Sequence, residues 1–125
     1  LDAIEPVGEG IWVIGGTKFY ENDIDLFLEI HKKPTGVAYV YLEPFMEIEK
    51  YYNIIQKFNK AGIYQHLYTN GTLATETTLK ALGEAGLNEL RFNLGASGCA
   101  DKVIETIGIA KKYIKKVGIE TPMTN

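Results

Sequence analysis

Three stretches of this sequence end in polar side chains that could contact a ligand. Glu43 closes the apolar run GVAYVYLE, Thr69 and Asn70 close IYQHLYT, and Asn93 lies near the end of ELRFNL. A carboxylate accepts hydrogen bonds, whereas an amide side chain both donates and accepts them. Ligands of parallel α/β proteins sit at the carboxyl ends of the strands. If these runs are neighbouring strands, their ends form a candidate binding edge.

Further candidates follow from the alternation of side chains along a strand. The alternation predicts one polar face that carries Tyr39, Tyr41, Glu43, His66, Tyr68, Asn70, Arg91 and Asn93. The opposite face is aliphatic and should pack against helices. Tyr41, His66 and Arg91 are therefore predicted to line a substrate pocket.

A simpler interpretation of this polar face stays open. The face could be exposed to solvent, with Glu43 and Arg91 forming only a structural ion pair. Parallel sheets usually bury both faces, and buried charged groups need partners or ligands. These considerations favour a binding site over an exposed face.

Short β-like runs alternate with helix-like runs along the chain. The predicted strands are 11–16, 36–43, 63–69, 89–94 and 118–121, and the predicted helices are 22–31, 45–60, 75–85 and 99–116. Pro44 stands before the second helix, Thr75 is a suitable N-cap of the third, and Gly86 is a suitable stop for it.

This alternation predicts an α/β fold of right-handed βα units. We expect all strands to be parallel and in sequential order, as in a parallel (β/α) partial barrel of the TIM-barrel type. A flavodoxin-like three-layer sandwich, with strand order 2-1-3-4-5, is the alternative. A receiver-like module should have paired acids after its first strand, and a flavodoxin should have a phosphate loop there. Gly15-Gly16-Thr17 contains no acid pair and only hints at a phosphate loop. A TIM-barrel fragment of unrelated chemistry is a third possibility.

Composition limits the classes of function. The 125 residues are expected to be one α/β segment of a larger domain, since Leu1 is not an initiator methionine and the chain stops directly after a strand. The net charge of −3 gives no nucleic-acid signal, and no apolar run reaches the roughly 20 residues of a membrane span. A single cysteine, Cys99, excludes an intrachain disulfide and favours a reducing, cytoplasmic location.

The segment around residue 70 resembles the radical-SAM (S-adenosylmethionine) family. LYTNGTL at 67–73 is followed by LKALGEAGL at 79–87 and by ELRFNL at 89–94. This succession is similar to the third and fourth βα units of that family's partial barrel, in which TNG ends a strand. The resemblance covers residues 36–121, about two thirds of the chain.

A second motif of the family is partly present. Its GGEP sequence ends the second barrel strand and holds the amino group of S-adenosylmethionine. Here Glu43-Pro44 matches the second half, while Tyr41-Leu42 replaces the two glycines. A competing alignment places the glycine pair at Gly15-Gly16. The resemblance implies cofactor-binding roles for Glu43, Thr69, Asn70, Asn93 and Ser97, and assigns no catalytic residue.

The chain also departs from the family. Radical-SAM proteins ligate a 4Fe–4S cluster through CxxxCxxC, which a chain with one cysteine lacks. The resemblance therefore implies part of an enzyme whose cluster and S-adenosylmethionine belong to the parent protein, with neither expected on this chain alone. Its partners would be the rest of the parent chain and an unknown small-molecule or protein substrate. A non-enzymatic flavodoxin-like or receiver-like module is the alternative.

Overall fold

The computed structural model describes residues 2–30, 36–40, 42–93 and 101–120. In this part of the chain the strands are β1 (Asp2–Gly8), β2 (Ile11–Ile14), β3 (Thr17–Tyr20), β4 (Gly36–Tyr39), β5 (Tyr64–Thr69), β6 (Glu89–Asn93) and β7 (Lys116–Glu120). The helices are α1 (Ile24–Ile30), α2 (Glu49–Lys60), α3 (Glu76–Ala85) and α4 (Asp101–Tyr113), with short 3-10 helices at Glu21–Asp23 and Pro44–Met46. The strands form one sheet in the order β3-β2-β1-β4-β5-β6-β7.

The sheet is parallel over most of its width. β1, β4, β5, β6 and β7 run parallel to one another in sequential order, which differs from the order 2-1-3-4-5 of a flavodoxin-like sandwich. The α/β class is thus confirmed. The expectation that every strand is parallel is wrong, because β2 pairs antiparallel with both β1 and β3.

The antiparallel end of the sheet contains a hairpin, β2 and β3, whose turn is a pair of glycines. Gly15 and Gly16 connect Ile14 to Thr17 with φ values of 53° and 85°. Two consecutive positive φ angles are what a two-residue hairpin turn of the primed type requires. The run 11–16, predicted as a parallel strand followed by a helix, is therefore one arm of a hairpin. These glycines do not end a strand of the parallel part, as the competing GGEP alignment required.

The described helices pack on one face of the sheet. On that face Phe19 of β3 stacks on Phe27 of α1 at 4.8 Å, and Trp12 of β2 meets Tyr51 of α2 edge-on at 5.3 Å. The strand residues in this core are Ile4, Trp12, Ile14, Phe19, Val37, Tyr39, Leu67, Leu90 and Phe92. They alternate along the strands with residues of the second face, which include His66 and Arg91. None of the four described helices packs on that second face.

Tyr39 lies on the opposite face from the one predicted. It pairs in register with Leu67, whereas Ala38 pairs with His66. Tyr39 is buried among the helices and its hydroxyl donates a 2.6 Å hydrogen bond to Gln65 Oε1. Gln65 Nε2 donates in turn to the Ile55 carbonyl oxygen. This buried polar partner allows a tyrosine to replace an aliphatic residue in the core.

Helix boundaries follow local signals where these are strong. α3 starts after Thr75 and ends before Gly86, which has a φ of 99°, as predicted. α2 starts at Glu49, later than predicted, because Pro44–Met46 forms a 3-10 turn. α4 ends at Tyr113 rather than at Lys116, since the Lys116 amide already bonds the Asn88 carbonyl oxygen as β7 begins. No helix of the described residues is long and apolar enough to cross a membrane.

Replacing Thr75 with alanine should lower the free energy of unfolding by about 1 kcal/mol. The Thr75 hydroxyl accepts from the Thr78 amide at 3.2 Å, and the Thr78 hydroxyl accepts from the Thr75 amide at 2.9 Å. Alanine removes the first bond and exposes one orphan amide of the helix start. Urea denaturation would measure the loss. Thr77→Ala, at an exposed position of the same turn, is the control and should change stability little; equal losses would contradict the capping role.

Candidate functional site

The carboxylate of Glu43 lies at the carboxyl edge of the parallel strands and joins two chain segments. It accepts a 2.9 Å hydrogen bond from the Phe45 amide, which caps the following 3-10 helix. It also accepts a 2.7 Å bond from the Asn70 amide. The Thr69 hydroxyl lies 3.0 Å from Oε1 and 2.9 Å from Oε2. Glu43 thereby connects the end of β5 to the segment that follows β4.

The turn after β5 is built from its own polar side chains. The Thr69 hydroxyl accepts from the Gly71 amide at 3.1 Å. Asn70 Oδ1 accepts from both the amide and the hydroxyl of Thr72, at 3.0 and 2.8 Å. Gly71 has a φ of 81°, and a Cβ there would lie 2.9 Å from Phe92 Cδ1. Glycine is the residue that this turn accommodates without strain.

A cavity of about 310 Å³ opens beside this turn. It is lined by Leu42, Glu43, Tyr68, Thr69, Asn70 and Asn93. Its size lies at the lower end of the range of about 300–1,000 Å³ that small-molecule sites occupy. Four of the predicted cofactor-binding residues thus come together around one cavity. Their role in binding stays a prediction, and Ser97 and Tyr41 lie outside the described residues.

Arg91 does not pair with Glu43. Its guanidinium pairs through Nε with Glu89 and through Nη1 with Glu120, the latter at 2.8 Å. Glu89 Oε1 also accepts a 2.6 Å bond from the Tyr64 hydroxyl. The sequence interpretation that paired Arg91 with Glu43 is therefore wrong, because the acids that pair with Arg91 are Glu89 and Glu120. Arg91 contributes to a network that joins β5, β6 and β7 on the face opposite the described helices.

Burial and hydrogen bonding act in opposite directions on the pKa of Glu89. Burial alone raises it, but hydrogen bonds from Tyr64 and Arg91 and the positive charge of Arg91 outweigh burial and leave the pKa below its ordinary value. Glu89 therefore stays ionised at neutral pH. It holds the Arg91 side chain in place, so this guanidinium is less available to a ligand than the sequence suggested.

His66 lies two residues before Tyr68 in β5, so both side chains are on the same face of the sheet. It is only 5% exposed, and its ring contacts those of Tyr64 and Tyr68 at 6.4 and 5.4 Å. Burial lowers the pKa of the imidazole, so the neutral form predominates at pH 7. Its Nε2 is buried and has no hydrogen-bond partner among the described residues. Since Tyr68 also lines the cavity, His66 contacts a residue of the cavity wall.

Two members of the Arg91 network, Glu89 and Glu120, were not anticipated. The spacing Glu89-x-Arg91 places both side chains on one strand face, and this pattern could have indicated the pair. Glu120 could not be found in this way, because only the β6–β7 register brings it opposite Asn93 and near Arg91.

The residues present do not fit an iron–sulfur cluster. The described ranges contain no cysteine, and no group of three or more His, Cys, Asp or Glu residues in them could hold a metal ion. Cys99 falls between residues 93 and 101, outside those ranges.

Comparisons with known proteins found structural similarity without a sequence match. Neither a protein-family model nor a curated protein sequence matches the chain. A solved structure described as "Native anSMEcpe with bound AdoMet" is similar, with a TM-score of 0.47 and 22% sequence identity. The match covers 74% of this chain and 30% of that protein, so this chain spans less than a third of its length.

Proposed function

We propose that this chain supplies the S-adenosylmethionine-facing edge of a radical-SAM-type (β/α) partial barrel. The proposal starts from the sequence resemblance at TNG and at Glu43-Pro44. The succession of parallel strands β1, β4, β5, β6 and β7, with the described helices on one face, is compatible with an arc of such a barrel.

One observation carries the proposal. The two segments that resemble the family motifs are 26 residues apart in sequence and are joined directly by the hydrogen bonds between Glu43 and the pair Thr69-Asn70. A chance TNG turn has no reason to be bonded to a Glu-Pro segment that follows the neighbouring strand β4. This junction also forms part of the cavity wall.

The cavity lining suits a ligand with polar and apolar parts. Asn70 and Asn93 offer amide groups for hydroxyl or carboxylate oxygens, and Leu42 and Tyr68 offer surface for a methylene chain or a ring. The charge of Glu43 makes a cationic ligand favourable at this wall. S-adenosylmethionine is such a ligand, and when bound it supplies a sulfonium-activated adenosyl group.

The rest of the function belongs to the proposal as well. The chain would act within a longer protein, with the remaining barrel elements and the cluster ligands supplied outside it. The reaction would take place in the cytoplasm on a small-molecule or protein substrate. The polar face with His66 and Arg91 adjoins the cavity through Tyr68 and is the surface we assign to that substrate.

Isothermal calorimetry on the full-length protein tests the proposal. Asn93→Ala should weaken S-adenosylmethionine binding about tenfold, which corresponds to the loss of one hydrogen bond of about 1.4 kcal/mol. Asn93 is exposed and lines the cavity, so its side chain is not part of the packed core, and circular dichroism checks that the variant is folded. Asn53→Ala is the matched control: it removes an exposed asparagine of α2 that donates to Glu21 at 2.9 Å and does not line the cavity. Absence of binding to the unmodified protein, or equal affinity in the Asn93 variant, would sink the proposal.

A further inference from the structure

We infer that Glu43 is a positioning residue and that Asn70 is the group of this turn that contacts the ligand. The inference rests on the proposed function and assigns roles within the same site. It places the contact with the ligand on an amide donor and gives the carboxylate a supporting task inside the protein.

The acceptor capacity of Glu43 is largely taken up by its own chain. Oε1 faces the Asn70 amide at 2.7 Å and Oε2 faces the Phe45 amide at 2.9 Å, with the Thr69 hydroxyl between them. Hydrogen bonds from an N–H to a carboxylate are stronger than neutral ones. A ligand ammonium group would have to compete with these bonds.

Asn70 has the complementary arrangement. Its backbone amide is held by Glu43 and its Oδ1 is held by Thr72, so the position of the side chain is fixed at two points. No described residue accepts a hydrogen bond from its Nδ2 group, and this exposed residue lines the cavity. The turn therefore offers N–H donors, and the ligand atom that it recognises is an acceptor oxygen or nitrogen.

Glutamine cannot take over the task of Glu43. Each carboxylate oxygen faces one backbone N–H, so the amide of glutamine would place its own NH2 group against either Asn70 or Phe45. One backbone donor would lose its acceptor. Glu43→Gln should therefore loosen the turn without changing the size of the side chain.

Calorimetry with two ligands separates positioning from direct contact. The probes are S-adenosylmethionine and its desamino analogue, in which hydrogen replaces the α-amino group. Glu43→Gln in the full-length protein should weaken both by the same factor, about tenfold. Asn70→Asp keeps Oδ1 for Thr72 but loses the donor, and should weaken both at least as much. All affinities are measured where circular dichroism shows each variant to be folded, and Asn53→Ala is the control. A loss in Glu43→Gln that is confined to S-adenosylmethionine would show that Glu43 binds the amino group and would overturn the inference.

A second pair of variants tests the same junction if Glu43→Gln does not fold. Thr69→Val removes the hydroxyl that bridges the two Glu43 oxygens, and Thr69→Ser retains it. The valine variant should lose affinity for both ligands and the serine variant should keep it. Equal affinities of the two variants would contradict a positioning role for this junction.

Hydrogen exchange provides a readout that needs no ligand. In Glu43→Gln, or in Thr69→Val if the former does not fold, the Asn70 amide should exchange at least about tenfold faster, while the amide of Leu67 within β5 should be unchanged. If the unmodified protein binds neither ligand, the proposed function fails and this measurement alone decides the positioning role. An unchanged exchange rate at Asn70 would refute it.

Discussion

Replacing Glu89 with glutamine should destabilise the fold by about 2–4 kcal/mol. The side chain of Glu89 is only 3% exposed and is bonded to Tyr64 and Arg91. Glutamine can still accept the Tyr64 bond, but its NH2 group then faces the Arg91 Nε–H, and the charge that balances the guanidinium is lost. Because Arg91 is 32% exposed, water compensates part of this loss, and the effect falls short of that for a fully buried pair.

Glu120→Gln is the matched control, since Glu120 pairs with the same guanidinium but is 43% exposed. We expect it to cost about 0.5 kcal/mol, as exposed ion pairs contribute little. Denaturant unfolding of both variants gives the comparison. Similar losses at the two positions would show that burial does not govern the strength of this network.

The same carboxylate sets a direction for the dependence of stability on pH. The pKa of Glu89 in the folded protein is below its ordinary value of 4.5. Its contribution is therefore present above about pH 4.5 and is lost as the pH falls through the folded pKa. In Glu89→Gln the unfolding free energy should consequently fall less steeply below pH 4.5 than in the unmodified chain. An identical acid dependence would exclude Glu89 as a major source of it.

The second large effect is expected at a helical glycine. A Cβ at Gly83 of α3 would collide with the carbonyl oxygen of Tyr113 at the end of α4 and would lie 3.1 Å from its carbonyl carbon. Backbone atoms cannot rotate away, so Gly83→Ala must push the two helices apart. We expect a net loss of about 2–3 kcal/mol, although alanine is otherwise the better helix former.

Gly108 provides an internal control for this prediction. It lies in α4, and nothing is within 4 Å of the place where its Cβ would be. Gly108→Ala should therefore stabilise the protein by about 0.5–1 kcal/mol. Thermal unfolding of both variants checks the opposite signs. Stabilisation by alanine at both positions would mean that Gly83 of α3 is not in close contact with the Tyr113 backbone of α4.

The elements that sequence reasoning predicted best carry their own boundary signals. α3 has an N-cap threonine and a glycine stop, which are read locally, and the structure uses both. β1 was missed because its seven residues include two acids, one proline and one glycine, and only Ile4 among them is fully buried. The hairpin signal was present in IWVI-GG-TKFY, where two glycines separate β-like runs. The repeating βα pattern predicts a helix after each strand, and this expectation competes with the hairpin signal.

Sequence reasoning predicted which residues share this edge of the sheet better than it predicted the contacts between them. The carboxyl-edge rule brings Glu43, Thr69, Asn70 and Asn93 to one edge, and they do line one cavity. Alternation failed for Tyr39, since a run with apolar residues on both faces does not show which face meets the helices. It also could not show that Glu43 is bonded to the Asn70 amide, because that contact depends on how the chain turns after β4.

The order of the strands in the sheet determines how the chain can fold during its synthesis. Apart from β1 and β4, every pair of neighbouring strands in the described sheet is also consecutive in sequence. The β1–β4 pairing closes one long loop, and the entropy cost of such a loop grows only with the logarithm of its length. Each later strand therefore finds its partner already made as it leaves the ribosome. Parallel pairing is normally slow because of its distant contacts, but the parallel part of this sheet can grow from β1 in one direction, one βα unit at a time.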